Sequence, residues 1–167
     1  MVLRVSTVFA LLIWTVTAGA AGFLPAYDEH TDPKMELATA LAEARNTDKK
    51  VLVIFGSEWC SDCRTFDKQL RSSSVSTVIN SEFVVIKADI GNWDKNMDFA
   101  EWFGNPASQG IPSIAIIDPN RRLYSATPGN ELAMLRHRSV TQLTDWFSWY
   151  ANGLHENEPL AIRDSKF

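Results

Sequence analysis

Two cysteines, Cys60 and Cys63, follow closely on an unbroken apolar run, Val51-Leu52-Val53-Ile54-Phe55, and the chain has no others. A run without polar interruption reads as a strand buried on both faces. Gly56 and Ser57 end it. The residues after the second cysteine, Arg64-Thr65-Phe66-Asp67-Lys68-Gln69-Leu70-Arg71, can continue as a helix. Cys60 therefore falls where a strand hands over to a helix N-terminus. Unpaired backbone N–H groups and the helix dipole converge there, and both favour a thiolate over a thiol. A pair at this spacing can close a small disulfide and open it again.

The 167 residues suit a single domain. A formal net charge of −4 with no basic run argues against a nucleic-acid partner. The N-terminus stands apart from the rest. Arg4 is the only charge before Asp28, the stretch 5–16 is mostly apolar, and Ala18-Gly19-Ala20 has the small-x-small form of a signal-peptidase site. Residues 1–20 thus read as a secretory signal peptide, with an uncleaved anchor as the alternative. The run is short for a membrane span, which needs about 20 apolar residues. Export, to the periplasm in a bacterium, is the expected location, where disulfides persist.

An extended lead-in is expected over 21–31. Asp32 can cap a helix with Pro33 at its first position, and Leu37, Leu41 and Ala44 repeat at helical spacing. After the cysteine helix, the serines at 72–74 interrupt the pattern before a short helical piece around Val75, Val78 and Ile79. A second buried strand is expected at 83–89, a helix at 95–103 closed by Gly104, irregular chain at 105–110, and a third strand at 113–118. Leu123-Tyr124-Ser125-Ala126 can pair back as a hairpin. Ser139 and Gln142 fit a capping box, opening a last helix with Val140, Leu143, Phe147 and Tyr150 on one face and Gly153 at its end. Residues 154–167 form a polar tail. The order describes an α/β domain: a mixed central sheet with helices on both faces.

These features resemble the thioredoxin family. The resemblance rests on Glu58-Trp59-Cys60-Ser61-Asp62-Cys63 after a buried strand, and on Gly110-Ile111-Pro112-Ser113 opening a later one. It covers about 32–153, and the loop at 91–110 is longer than in the simplest members. It implies a thioredoxin fold, with Cys60 as attacking and Cys63 as resolving cysteine. It further implies that Pro112 is cis and faces the sulfurs, that the Ile111 backbone pairs with substrate, and that Trp59 and Lys87 flank the site. On physics alone an X–Pro bond defaults to trans, and Lys87 could be a mere solubilising charge. Two positions depart from the family pattern. Ile54 stands where the family commonly buries an aspartate that helps deprotonate the resolving cysteine, and Ser61-Asp62 replaces the usual Gly-Pro. Without that aspartate the proton of Cys63 must go to water or to another residue, of which Glu58 is the first to examine.

Other readings of the same residues stay open. A static disulfide gains little from so short a loop. A zinc site would need His30, His137 or His155, none at finger-like spacing. Trp93, Trp102 and Phe103 could form a partner-binding patch or a packed insert. The resemblance points to a thiol–disulfide oxidoreductase acting on protein disulfides, with no metal or organic cofactor because the cysteine pair holds the electrons. The negative charges of Glu58 and Asp62 disfavour the Cys60 thiolate, which suggests reduction or isomerisation, recharged by a membrane electron donor. A disulfide-donating oxidant and a copper-delivery module using the same two thiols are the alternatives.

Overall fold

The computed structural model describes residues 26–120, 123–127 and 138–152. The expected signal peptide, the polar tail and Gly153 lie outside the described residues. Where an extended lead-in was expected, residues 26–30 form bends and a turn, and Ala26 and Tyr27 are buried. The turn is closed by the Thr31 N–H donating to the Asp28 carbonyl at 3.3 Å. Helix α1 (Pro33–Thr47) starts as its sequence requires: the Asp32 carboxylate accepts the Lys34 N–H at 2.9 Å. Leu37, Ala40, Leu41 and Ala44 form its buried stripe.

Strand β1 (Lys50–Gly56) is central, and every residue in it after Lys50 is buried. Strand β2 (Phe83–Asp89) runs parallel to it, with Ile54 opposite Lys87. On the other side β3 (Ser113–Ile117) runs antiparallel, with Ile54 opposite Ile114. Strand β4 (Leu123–Thr127) closes a hairpin with β3, with a register shift between Ile116 and Ile117. The sheet order is β2-β1-β3-β4, a mixed sheet as the element order implied.

Side chains alternate across a strand, so β1 feeds two cores. On one face Phe55 meets Phe99 of helix α4 (Met97–Glu101) and Phe103 just after it, at ring separations of 5.9 and 5.7 Å. Helix α1 shares this face, where Lys34 pairs with Asp98 of α4. The other face carries Leu52, Ile54 and Gly56. It is covered by α2 (Ser61–Leu70), α3 (Ser73–Glu82) and α5 (Val140–Ala151). There Phe147 stacks on Phe66 and meets Phe83 edge-on. Among the described residues no helix is long and apolar enough to cross a membrane.

Three local expectations need correction. Helix α4 covers 97–101 rather than 95–103, because Asn96 adopts a left-handed conformation at φ 51° just before it and the chain after Glu101 tightens into turns. Residues Pro106–Gln109 form a 3-10 turn rather than irregular chain. Val140 is 37% exposed at the first turn of α5, so the buried face of that helix is Leu143, Trp146, Phe147 and Tyr150. The capping box at Ser139 and Gln142 forms in both directions.

Two substitutions check this packing by urea denaturation. Phe55→Ala should cost about 3–5 kcal/mol, because it empties a fully buried ring site. Val140→Ala should change stability by less than about 0.5 kcal/mol, as expected of an exposed position.

Candidate active site

Cys60 is the N-cap of α2, in extended conformation at φ −74° and ψ 115°. Its Sγ accepts the backbone N–H of Cys63 at 3.2 Å, as an N-cap side chain does. Its thiol also lies 3.7 Å from the Ile111 carbonyl oxygen. Both cysteines are free thiols. Cys60 is 7% exposed and Cys63 is wholly buried one turn further in, so only Cys60 has a path to a partner.

The two sulfurs divide one proton unequally. The Cys63 S–H donates to the Cys60 sulfur, and this is the largest influence on Cys60. With the N–H groups of Cys63 and Asp62 it lowers Cys60 to about 7, against burial and the Asp62 charge. The same hydrogen bond, helped by burial, pushes the Cys63 thiol far up, while the Ser57 N–H works the other way. Cys60 is the nucleophile in waiting, and Cys63 holds its proton for as long as Cys60 is a thiolate.

The residues expected around the pair separate into those beside the sulfurs and those that serve other purposes. The Ile111–Pro112 peptide is cis and buried, with the Ile111 carbonyl toward Cys60. Trp59 is 51% exposed, its indole N–H bound to the Gly91 carbonyl at 2.8 Å. Its ring lies 5.5 Å from that of Trp93, which is anchored through its own N–H to the Ala107 carbonyl. The insert aromatics divide accordingly: Trp93 extends the surface beside Cys60, Phe103 is core, and Trp102 packs on Phe99 beneath the Lys34 ammonium.

Glu58 does not face the cysteines. Its Oε2 accepts the N–H groups of Ala26 and Tyr27 at 2.9 and 3.3 Å and so ties down the lead-in. Lys87 points beneath the site, where its ammonium binds Asp67 of α2 and lies 5.8 Å from the centre of the Tyr27 ring. Asp67 also binds Arg71 at 2.9 Å. Burial alone would raise the Asp67 carboxyl, but the hydrogen bonds from Lys87 and Arg71 outweigh it and hold it below its ordinary range. Ile54 is fully buried on the face that α2 covers.

Sequence reasoning missed Tyr27, Gly56 and Asp67. The Tyr27 hydroxyl lies near the Cys63 side chain, which helps burial to raise the tyrosine above its ordinary range. Its ring lies so close to Gly56 that a Cβ there would fall 2.3 Å from Cζ, which is why β1 ends in glycine. Asp67 had a readable signal, since it lies four residues after Cys63 on the same helical face. Tyr27 had none in its neighbours. A cleft of about 500 Å³ opens beyond Trp59, lined by Tyr27, Glu58 and Asp94 among others, and neither cysteine lines it. Among the described residues no three His, Cys, Asp or Glu side chains gather as a metal site.

Known proteins share the fold to different degrees. A thioredoxin-like family model matches residues 32–119. A disulphide isomerase from Xylella fastidiosa superposes with a TM-score of 0.72 at 36% identity, over 74% of this chain and 95% of that one. A thioredoxin-fold protein from Helicobacter pylori gives a TM-score of 0.54 at 19% identity, over 71% and 79%. The reduced DsbD c-terminal domain from Neisseria meningitidis gives 0.50 at 14%, over 70% and 95%. These last two likenesses speak to the fold alone. No curated protein matches the sequence at a significant level.

Alkylation tests the sulfur pair. The rate of Cys60 labelling by iodoacetamide should rise with pH through a midpoint of about 7, with Cys63 labelled far more slowly. Cys63→Ala removes the donated hydrogen bond, so the Cys60 midpoint should move up toward the ordinary thiol value of about 8.5. A midpoint that stays put would mean that the helix terminus alone sets the reactivity of Cys60.

Proposed function

The chain belongs to the thioredoxin-like family, and from that premise we infer that it is a thiol–disulfide oxidoreductase that reduces or isomerises disulfides in exported proteins. One observation carries this reading: the Cys60 sulfur caps α2 with a pKa near neutrality, and the Cys63 thiol lies one turn behind it. As reductant, the Cys60 thiolate attacks one sulfur of a substrate disulfide. The substrate S–S bond breaks, and a mixed disulfide with Cys60 forms. Cys63 then attacks the Cys60 sulfur, closing the internal disulfide and releasing the second substrate thiol. In isomerisation a substrate thiol attacks the mixed disulfide before Cys63 does.

The direction of electron flow follows from how strongly Cys60 is stabilised as a thiolate. A strong oxidant depresses its attacking thiol far below neutrality, which makes the reduced form the favoured one. At about 7, with the Asp62 charge opposing ionisation, Cys60 has no such bias. The disulphide isomerase at 36% identity is consistent with a reducing or isomerising role. A reductant in an oxidising compartment must be recharged, so a membrane electron donor belongs to the proposal, as does export directed by residues 1–20. The electrons reside in the Cys60–Cys63 pair, and no further cofactor is invoked. The exposed Trp59 and the backbone at Ile111 and Pro112 form the surface on which a substrate segment would lie.

The redox potential separates this reading from a disulfide-donating oxidant. Equilibration with glutathione should give a value nearer to about −270 mV than to about −120 mV, the range between a reducing thioredoxin and a strong oxidant. Cys63→Ser should accumulate mixed disulfides with exported proteins that dithiothreitol releases, whereas Cys60→Ser should not. Tight copper binding without insulin reduction would favour a metal-delivery module instead.

A further inference from the structure

Cys63 presents a chemical difficulty that the two-thiol mechanism leaves open. In the reduced protein its proton is shared with the Cys60 sulfur. Once Cys60 is bonded to a substrate sulfur it no longer accepts that hydrogen bond, and Cys63 must become a buried thiolate to attack. Burial disfavours that anion. Cys60 and Asp62 lie on the same turn, and the Asp62 charge acts against the anion. Asp67 lies one turn on, its charge taken up by Lys87 and Arg71. Glu58 is bound to the lead-in backbone. The Ser57 N–H favours the anion, and the hydroxyl of Tyr27 lies nearby.

We propose that Tyr27 is a catalytic residue of the resolving step, its hydroxyl donating a hydrogen bond to the Cys63 sulfur and holding it as a thiolate aimed at Cys60. This rests on the two-thiol reading above. Four features hold the Tyr27 side chain in place. The Tyr27 N–H is tied to the Glu58 carboxylate. The ring fills the space over Gly56 where no side chain could fit. The Lys87 ammonium, itself held by Asp67, lies 5.8 Å from the centre of the ring, within cation–π range. The residue is only 4% exposed, so little of the side chain is open to solvent. Burial and the neighbouring sulfurs raise the tyrosine well above its ordinary range, so it stays protonated while thiols titrate. It therefore acts as a donor to sulfur and not as a base.

The step balances without any outside reagent. The Cys63 sulfur forms a bond to the Cys60 sulfur, and the bond between Cys60 and the substrate sulfur breaks. The proton of Cys63 passes to water as the thiolate forms, and the substrate leaves as a thiolate that is protonated by water in turn. The cysteine pair is oxidised, the substrate disulfide is reduced, and Tyr27 keeps its proton throughout.

One titration reads both steps. The full-length protein is mixed with dithiobis(nitrobenzoate) in a stopped-flow instrument from about pH 6 to about pH 9, spanning the thiol range. Attack by Cys60 releases the first nitrothiobenzoate, and attack by Cys63 releases the second. In Tyr27→Phe the ratio of second-phase to first-phase rate should fall about ten- to a hundredfold at neutral pH, the expected effect of losing one hydrogen bond to a charged group. The pH midpoint of the second phase should also move upward, a readout that a purely structural role would not move. Glu58→Gln keeps the ring and hydroxyl but loosens their anchor, and should give a smaller change in the same direction. If the wild type releases both equivalents and Tyr27→Phe shows the same second-phase profile, Tyr27 has no such role. If the wild type releases a single equivalent, the two-thiol reading itself fails, and the proposal with it.

Discussion

The hydrogen bond from the Cys63 thiol to the Cys60 sulfur is the interaction on which the chemistry of this domain depends. It creates two unlike sulfurs from two identical side chains. Cys60 gains a donor and loses affinity for its own proton, and Cys63 is held protonated by the same contact. The helix N-terminus adds the N–H groups of Asp62 and Cys63 on the Cys60 side. Asp62 brings the opposite influence, because a carboxylate in the first turn stabilises the helix but repels a thiolate at its cap. The outcome is a sulfur poised near neutrality.

Everything that holds the pair in place traces back to β1. Its unbroken apolar stretch allows it to sit at the centre of the sheet, paired on both edges and covered on both faces. The alternation of its side chains then assigns separate tasks. Phe55 packs against Phe99 and Phe103 and anchors the insert that carries Trp93. Ile54 and Gly56 face α2 and the cysteines. The missing side chain at Gly56 is what admits the Tyr27 ring, so a strand residue with no chemistry of its own determines what lies next to Cys63.

Much of this was legible in the sequence because it rests on local rules. A buried strand, a cysteine at a helix cap, the Asp32 and Ser139 caps and the β3–β4 hairpin each depend on residues within a few positions of one another. The parts that were not legible depend on meetings between distant segments. Tyr27 lies in a short lead-in with no periodicity, and only the tertiary bond between Glu58 and the Ala26 and Tyr27 N–H groups shows why it turns inward. Glu58 could be read as a negative charge close to Cys60 in sequence, yet its carboxylate is committed elsewhere. Lys87 could be placed on the strand beside the site but not paired, since its partner Asp67 comes from another element. Val140 satisfies the spacing of a buried face and still lies exposed, because spacing cannot tell where the covering surface ends.

The Asp67–Lys87 pair explains why hydrogen bonds rather than charge must govern Cys63. A free ammonium beneath the site would attract a thiolate and lower its pKa. Here the Lys87 ammonium is held by the Asp67 carboxylate, whose opposite charge weakens its field at the sulfurs. A partly buried ion pair of this kind is costly unless its members are further satisfied, and the second partner on Asp67 meets that condition in part. The pair holds α2 to β2 and supports the face of the Tyr27 ring, which leaves donors with no net charge to act on Cys63. Such donors stabilise an anion where it forms without attracting one beforehand. Cys63 can thus remain a thiol while Cys60 awaits a substrate, and become a nucleophile once Cys60 is occupied.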